Sequence, residues 1–221
     1  MQQQFKNPSL RHRSFPGLCL GFSLLMLSFG HNALAADAMT DHDHEHAHHH
    51  AMAASNTSVK RSVAGYTMPS LSLVRQDGTA VNFIKEIDDG RPVVLNFIYT
   101  SCTAICPVTS QVFSQVQEML GKDKAKFHLV SISIDPEYDT PARLSAYAGK
   151  FGATSQWQFY SGTAKASVAV QKAFDAYLGD KMNHVPVTFL RAAPGKPWVR
   201  LDGFASPETV VQEFRQLRES I

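Results

Sequence analysis

Cysteine is scarce in this chain: Cys19, Cys102 and Cys106 are the three in 221 residues. That number excludes a scaffold stapled by disulfides. Long apolar runs are equally scarce. Leu18 to Phe29, about a dozen residues, falls short of the ~20 that a spanning helix needs, which excludes a polytopic membrane protein. Neither sign of charge dominates, with 21 Lys and Arg against 19 Asp and Glu. A composition of 44% hydrophobic and 18% charged residues fits one ordinary globular domain with additional sequence. It excludes collagen-like, coiled-coil and wholly disordered chains.

Residues 1–35 have the layout of an export signal. Lys6, Arg11 and Arg13 form a basic start, the apolar run follows, and Ala33-Leu34-Ala35 offers a small-x-small cleavage site. Cys19 lies inside the apolar run after Leu18, unlike a lipoprotein cleavage box. Cleavage after Ala35 leaves 18 basic and 19 acidic residues, so nothing electrostatic favours a nucleic-acid partner. It also leaves Cys102 and Cys106 as the only cysteines, in a compartment that is oxidising. The chain is expected to be exported and periplasmic. An uncleaved signal would anchor it to the inner membrane, its only expected contact with a membrane.

Residues 36–61 are expected to be a disordered, histidine-rich linker. The stretch from Asp41 to His50 holds His42, His44, His46, His48, His49 and His50, six of the ten histidines, and no large apolar residue. Neutral imidazoles at this density capture Cu(II), Zn(II) or Ni(II), giving an auxiliary metal site. The plainer reading is a solvated linker.

Residues 62–221 read as one α/β domain. Leu71–Val74 and Ala80–Phe83 flank Gln76-Asp77-Gly78, a hairpin signal. Pro92–Tyr99 is a nearly continuous apolar strand, suited to a sheet covered on both faces. Val108, Val112, Phe113, Val116 and Leu120 have helical spacing from Pro107 onward, with Pro107 in the first turn. Phe127–Ile134 is a further strand. Thr140 and Pro141 cap and open a helix to about Phe151. A short strand over Trp157–Tyr160 precedes a helix from Ala164 to about Leu178. Val187–Arg191 and Trp198–Leu201 form a second hairpin, and Ser206-Pro207 opens a last helix to about Arg218. Alternating strands and helices indicate a layered domain with a partly parallel sheet.

Cys102-Thr103-Ala104-Ile105-Cys106-Pro107 follows the buried strand and opens a helix. Sites in such folds gather beyond the carboxyl ends of the strands. A helix N-terminus also favours thiolate over thiol. The spacing of four would place both sulfurs on one side of the first turn. Two adjacent thiolates are soft donors for Cu(I), or partners in a reversible disulfide. Two inert cysteines, or a structural disulfide closing a loop too short to contribute much, are the bland alternatives. His128 lies within a strand pattern and reads as packing or surface. Met68 and Met182 offer thioethers, with core or surface filling as their ordinary role.

These residues resemble the Sco/SenC family of copper-handling proteins, which have a thioredoxin-like fold. Cys102-x-x-x-Cys106-Pro107 is similar to the family's CxxxCP, and Asp135-Pro136-x-x-Asp139-Thr140-Pro141 to its D-P-x-x-D-T-P. Trp157-x-Phe159-x-x-Gly162 is similar to its W-x-F-x-x-G, and His184 falls where its third copper ligand is expected. The resemblance implies a three-layer sandwich with a central mixed sheet and an N-terminal β-hairpin. It implies copper held by Cys102, Cys106 and His184, with Asp135 either tuning the site or capping the next helix. It also implies a metallochaperone for the copper site of cytochrome c oxidase, with that oxidase's copper subunit or another periplasmic cuproprotein as partner. A thiol reductant is then required to keep the pair reduced. Pro186 is similar to the cis-proline beside the dithiol of thioredoxins. The alternative function is therefore a periplasmic thiol–disulfide oxidoreductase in which Cys102 and Cys106 are the catalytic, redox-active pair. Thr103-x-x-Cys106 has the outline of a peroxidase motif, but no accompanying peroxide-activating set is visible.

Overall fold

The computed structural model describes residues 59–121 and 127–219. The signal segment and the histidine tract lie outside the described residues. Five helices and eight strands follow one another: β1 (Lys60–Ala64), β2 (Ser72–Arg75), β3 (Ala80–Asn82), α1 (Phe83–Ile87), β4 (Val93–Ile98), α2 (Ile105–Leu120), β5 (His128–Ser133), α3 (Pro141–Lys150), β6 (Trp157–Ser161), α4 (Ala164–Ala173), β7 (Val187–Arg191), β8 (Trp198–Asp202) and α5 (Pro207–Glu219). The strands form one mixed sheet in the order β1-β8-β7-β4-β5-β6-β2-β3. β4, β5 and β6 run parallel at its centre, and the flanking pairs are antiparallel.

The apolar run of β4 has a direct cause. All six of its residues are buried. Val94 and Ile98 face one core with Phe113, Val116, Leu144, Trp157 and Phe214, while Val93, Leu95 and Phe97 face a second with Phe83, Val170, Phe174 and Phe189. Helices α2, α3 and α5 therefore cover one face of the sheet, and α1 and α4 the other. This is the expected three-layer sandwich.

Several local signals worked as sequence chemistry requires. Gly78 takes the positive φ of 85° that the β2–β3 turn needs, and the Asp77 side chain accepts from the Thr79 N–H at 2.9 Å. The Thr140 side chain accepts from the Arg143 N–H, with Pro141 in the first turn of α3. Gly162 lies where a Cβ would come within 2.9 Å of Leu73 Cδ2, so the residue after β6 lets β2 close in.

Other boundaries moved. β1 begins at Lys60, inside the stretch expected to be linker, because its backbone completes the antiparallel edge of β8. It is the N-terminal element, and the β2–β3 hairpin stands at the opposite edge of the sheet. Phe83 leaves the strand to open α1, where Asn82 caps the Lys85 N–H and Phe83 and Ile87 are buried one turn apart. α2 starts at Ile105, so Pro107 is its third residue; its missing N–H still falls among the four that have no intrahelical partner. α4 stops at Ala173, and Asp175 adopts a positive φ of 51°. No peptide bond among the described residues is cis, so Pro186 is trans and does not reproduce the thioredoxin feature. Its carbonyl is engaged by the Gly203 N–H at 2.9 Å.

Phe174 sits at the heart of the second core. Its ring meets those of Phe189, Trp198, Tyr66 and Phe97 at centroid distances of 4.8, 5.0, 5.3 and 5.9 Å. Phe174→Ala is expected to cost about 3–5 kcal/mol in urea unfolding, the range for deleting a fully buried aromatic ring.

Candidate metal and thiol site

β4 ends at Ile98 and delivers Tyr99, Thr100, Ser101 and Cys102 into a tight loop, closed by the Cys102 N–H on the Tyr99 carbonyl at 3.1 Å. Cys102 precedes α2 and is half-buried; Cys106 lies in the first turn and is wholly buried. Both are free thiols in this state. The residue that opens α2, Ala104, has no side chain to cap it. The Cys102 sulfur takes that place and accepts from the Cys106 N–H at 3.4 Å.

The two cysteines are consequently not alike. Burial works against a thiolate at Cys102. The N–H groups of Cys106 and Ala104, with further hydrogen bonds from the Cys106 thiol and the Tyr99 hydroxyl, outweigh it and hold the pKa below the ordinary cysteine value. At Cys106 burial dominates and pushes the pKa strongly up. The Tyr99 N–H, 3.4 Å from its sulfur, opposes this, and the negative charges of Cys102 and Asp139 add to it. The two sulfurs are therefore unequal: thiolate formation is favoured at half-buried Cys102 and opposed at buried Cys106. Only the first sulfur receives the helix N-terminal hydrogen bonds.

Two aspartates at the end of β5 organise the surroundings. Asp139 is fully buried, and its carboxylate accepts from the Thr100 N–H at 3.1 Å, the Thr100 hydroxyl at 2.5 Å and the Ser133 hydroxyl at 2.6 Å. A buried carboxylate needs such donors, and here they tie the cysteine loop to β5. Asp135 pairs with Lys181 at 2.5 Å. Lys181 opens a single turn of 3-10 helix, Lys181–Asn183, which runs directly into His184. Asp135 therefore anchors the histidine segment and does not cap α3; Thr140 does that.

His184 is half-buried. Burial lowers its pKa, against a backbone hydrogen bond to Phe97 that raises it, so the ring is neutral at neutral pH. The bond to Phe97 occupies one ring nitrogen and leaves the lone pair of the other. The ring lies edge-on to Tyr99, with centroids 6.4 Å apart. Tyr99 is the shared neighbour: its hydroxyl bonds Cys102 and lies 3.8 Å from Met182 Sδ, and burial, followed by the Cys102 bond, raises its pKa to about 12.

The structure thus brings Cys102 and Cys106 together, and sets His184 against Tyr99, whose hydroxyl bonds Cys102. It does not bring the three into a ligand set: among the described residues no group of three His, Cys, Asp or Glu side chains is close enough to hold a metal ion. His42, His44, His46, His48, His49 and His50 lie outside the described residues. His128 is remote. It starts β5 at the other end of the sheet, buried, 3.0 Å from Asp89 Oδ2. Met68 packs against the second core, as filling. Sequence reasoning overlooked Tyr99 and the carboxylate role of Asp139. The first reads as one more apolar strand residue, and the second as part of a helix-start signal.

The unequal pair predicts an unequal reactivity. Iodoacetamide should alkylate Cys102 first, with a pH midpoint below the ~8.5 of a free cysteine. Cys102→Ser should leave almost no fast alkylation within residues 59–219 at pH 7, because the thiol remaining there is buried and its pKa is raised. Peptide mapping of the labelled sites reads this out; equal labelling of both cysteines would contradict it.

Residues 59–219 match the SCO1/SenC family. A curated relative, the SCO1 protein homolog of Bacillus subtilis, is 27% identical over 104 residues, which are 47% of this chain and 53% of the relative. The chain spans about half the length of that relative. Among solved structures, Bradyrhizobium japonicum ScoI with copper bound is 25% identical with a TM-score of 0.56, the match covering 71% of this chain and 99% of that one. A second, BsSco, is described as a member of the Sco family of cytochrome c oxidase assembly proteins, with a disulfide switch. It is 23% identical with a TM-score of 0.60, over 72% of this chain and 96% of that one. These likenesses show a thioredoxin-like fold for the described domain, as the motifs implied. The family match spans residues 59–219, which include the CxxxCP loop and the D-P-x-x-D-T-P segment, and the chain belongs to the SCO1/SenC family.

Proposed function

We propose that this protein is an exported, copper-binding metallochaperone that serves the copper site of cytochrome c oxidase. Its cargo is Cu(I), held by Cys102, Cys106 and His184. The carrying observation is the pair of sulfurs at the head of α2, one of them half-buried and accepting a helix N-terminal N–H that lowers its pKa. Cu(I) is soft and takes thiolates before oxygen donors. Cys102, whose pKa is held below the ordinary cysteine value, supplies the first bond and gives up its proton more readily than Cys106. Cys106 loses its proton as its own Cu–S bond forms, so binding releases that proton and leaves both sulfurs anionic on the metal. Neutral His184, with one nitrogen already fixed by Phe97, supplies a third donor that can be given up on transfer. Its turn carries no fully buried residue, which suits a segment that must close on cargo and open to a partner.

The reading extends to the parts outside the described residues. Residues 1–35 serve as the export signal and place the domain in the periplasm. The six clustered histidines capture metal ahead of the folded domain. No helix among the described residues is long and apolar enough to cross a membrane. The partner is the oxidase's copper subunit or another periplasmic cuproprotein, and a thiol reductant keeps the pair open.

One observation favours a second function on the same residues. A half-buried cysteine of lowered pKa next to a buried thiol is the arrangement of an attacking and a resolving cysteine in thiol–disulfide exchange.

A Cu(I) titration of the reduced full-length chain against a competing chelator separates the two. Stoichiometric tight binding is expected, abolished by Cys102→Ala or Cys106→Ala. His184→Ala should weaken it by about 10–100-fold, as loss of a metal-site residue does. Unchanged affinity in His184→Ala would remove the histidine from the site. No cysteine-dependent binding, with turnover on a protein disulfide, would establish the oxidoreductase instead.

A further inference from the structure

Met182 is the most exposed large apolar residue of the described domain, at 73%. A methionine that open to water contributes nothing to a core, and its neighbours in the turn are polar. Its conformation is nevertheless fixed. Asp180 caps the turn by accepting from the Met182 N–H at 2.8 Å, the His184 N–H closes on the Lys181 carbonyl at 3.1 Å, and Lys181 is held by Asp135. The thioether does not point away from the fold. Its sulfur lies 3.8 Å from the Tyr99 hydroxyl, the same hydroxyl that bonds the Cys102 sulfur. Two soft sulfurs, one of a cysteine and one of a thioether, thus flank a single oxygen, with the His184 ring against the same tyrosine.

We propose that Met182 is a Cu(I) ligand of this protein, its thioether joining Cys102 at the mouth of the site while the turn that carries it also brings in His184. The inference rests on the copper reading above and adds a residue to it. The chemistry suits a thioether: it is soft, uncharged at every pH and selective for Cu(I) over Cu(II). It asks for no deprotonation before it binds. No electron is moved. One Cu–S(thioether) bond forms, and the hydroxyl contact of Tyr99 is exchanged for it. The Lys181 ammonium lies 5.7 Å from the centroid of the same Tyr99 ring, and its pairing with Asp135 offsets its positive charge there.

The test uses the reduced full-length chain, labelled with selenomethionine and loaded with less than one equivalent of Cu(I), so that the tightest site fills first. Copper-edge X-ray absorption should show a copper–selenium vector that Met182→Leu removes. In the unlabelled chain, Met182→Leu should weaken Cu(I) competition by at least about tenfold, given that even outer residues of metal sites change affinity by about 10–100-fold. Because the side chain is exposed, the melting temperature should stay unchanged, which separates ligation from folding. Cysteine-dependent Cu(I) binding with no copper–selenium vector, or with the same affinity in Met182→Leu, would overturn the thioether ligand and leave the dithiol site standing. Absence of cysteine-dependent Cu(I) binding in the parent chain would overturn the copper reading itself, and this inference with it.

Discussion

One hydrogen bond sets the character of this site: the Cys106 N–H donates to the Cys102 sulfur at the open end of α2. Helices leave their first N–H groups without partners, and a polar side chain normally takes one of them. Here Ala104 cannot, so a sulfur does, and the field that would stabilise any anion there stabilises a thiolate. The same turn buries Cys106 and leaves it protonated. A single local arrangement therefore makes one cysteine reactive at the surface and stores its neighbour beneath.

That arrangement would be loose without β5. The parallel pairing of β4 with β5 brings the ends of both strands to one edge, and the loop after β5 then holds both halves of the site. Asp139 grips Thr100, two residues before the first cysteine, and Asp135 grips Lys181 on the histidine turn. The D-P-x-x-D-T-P motif is thus a clamp with three functions: one carboxylate for the dithiol loop, one for the histidine turn, and Thr140-Pro141 to start α3. The two grips differ in kind. Asp139 is buried and fully donated to, and so rigid; the Asp135–Lys181 pair is part-exposed and screened by solvent, so it holds the turn lightly. A protein that must surround a cation and then surrender it needs one fixed jaw and one that yields.

Much of this was legible in the chain. Strand β4 announced itself because both its faces are buried, and the cysteines stood out because the sequence holds so few. Turn and cap chemistry located β2–β3 and α3. What stayed hidden depended on partners distant in sequence. β1 is polar and alternates weakly, so only its pairing with β8 makes it a strand. Tyr99 looks like any strand aromatic until the fold sets His184 and Met182 beside it, and Asp139 looks like a helix-start residue until Thr100 and Ser133 converge on it. The trans bond at Pro186 shows the limit of reading by likeness: the residue type agrees with thioredoxins and its backbone does not. Spacing alone also suggests equal sulfurs; burial of Cys106 and the helix N-terminal hydrogen bonds to Cys102 make them differ.

The direct test of this account is the number of protons released when Cu(I) binds, measured at a pH where Cys102 is already fully open to alkylation. An unequal pair predicts about one proton per copper, from Cys106 alone, and a Cu(I) affinity that rises about tenfold per pH unit in that range. Release of two protons would mean that both sulfurs start as thiols and that the helix N-terminus does not hold a thiolate. Release of none would mean that the buried cysteine never joins the metal.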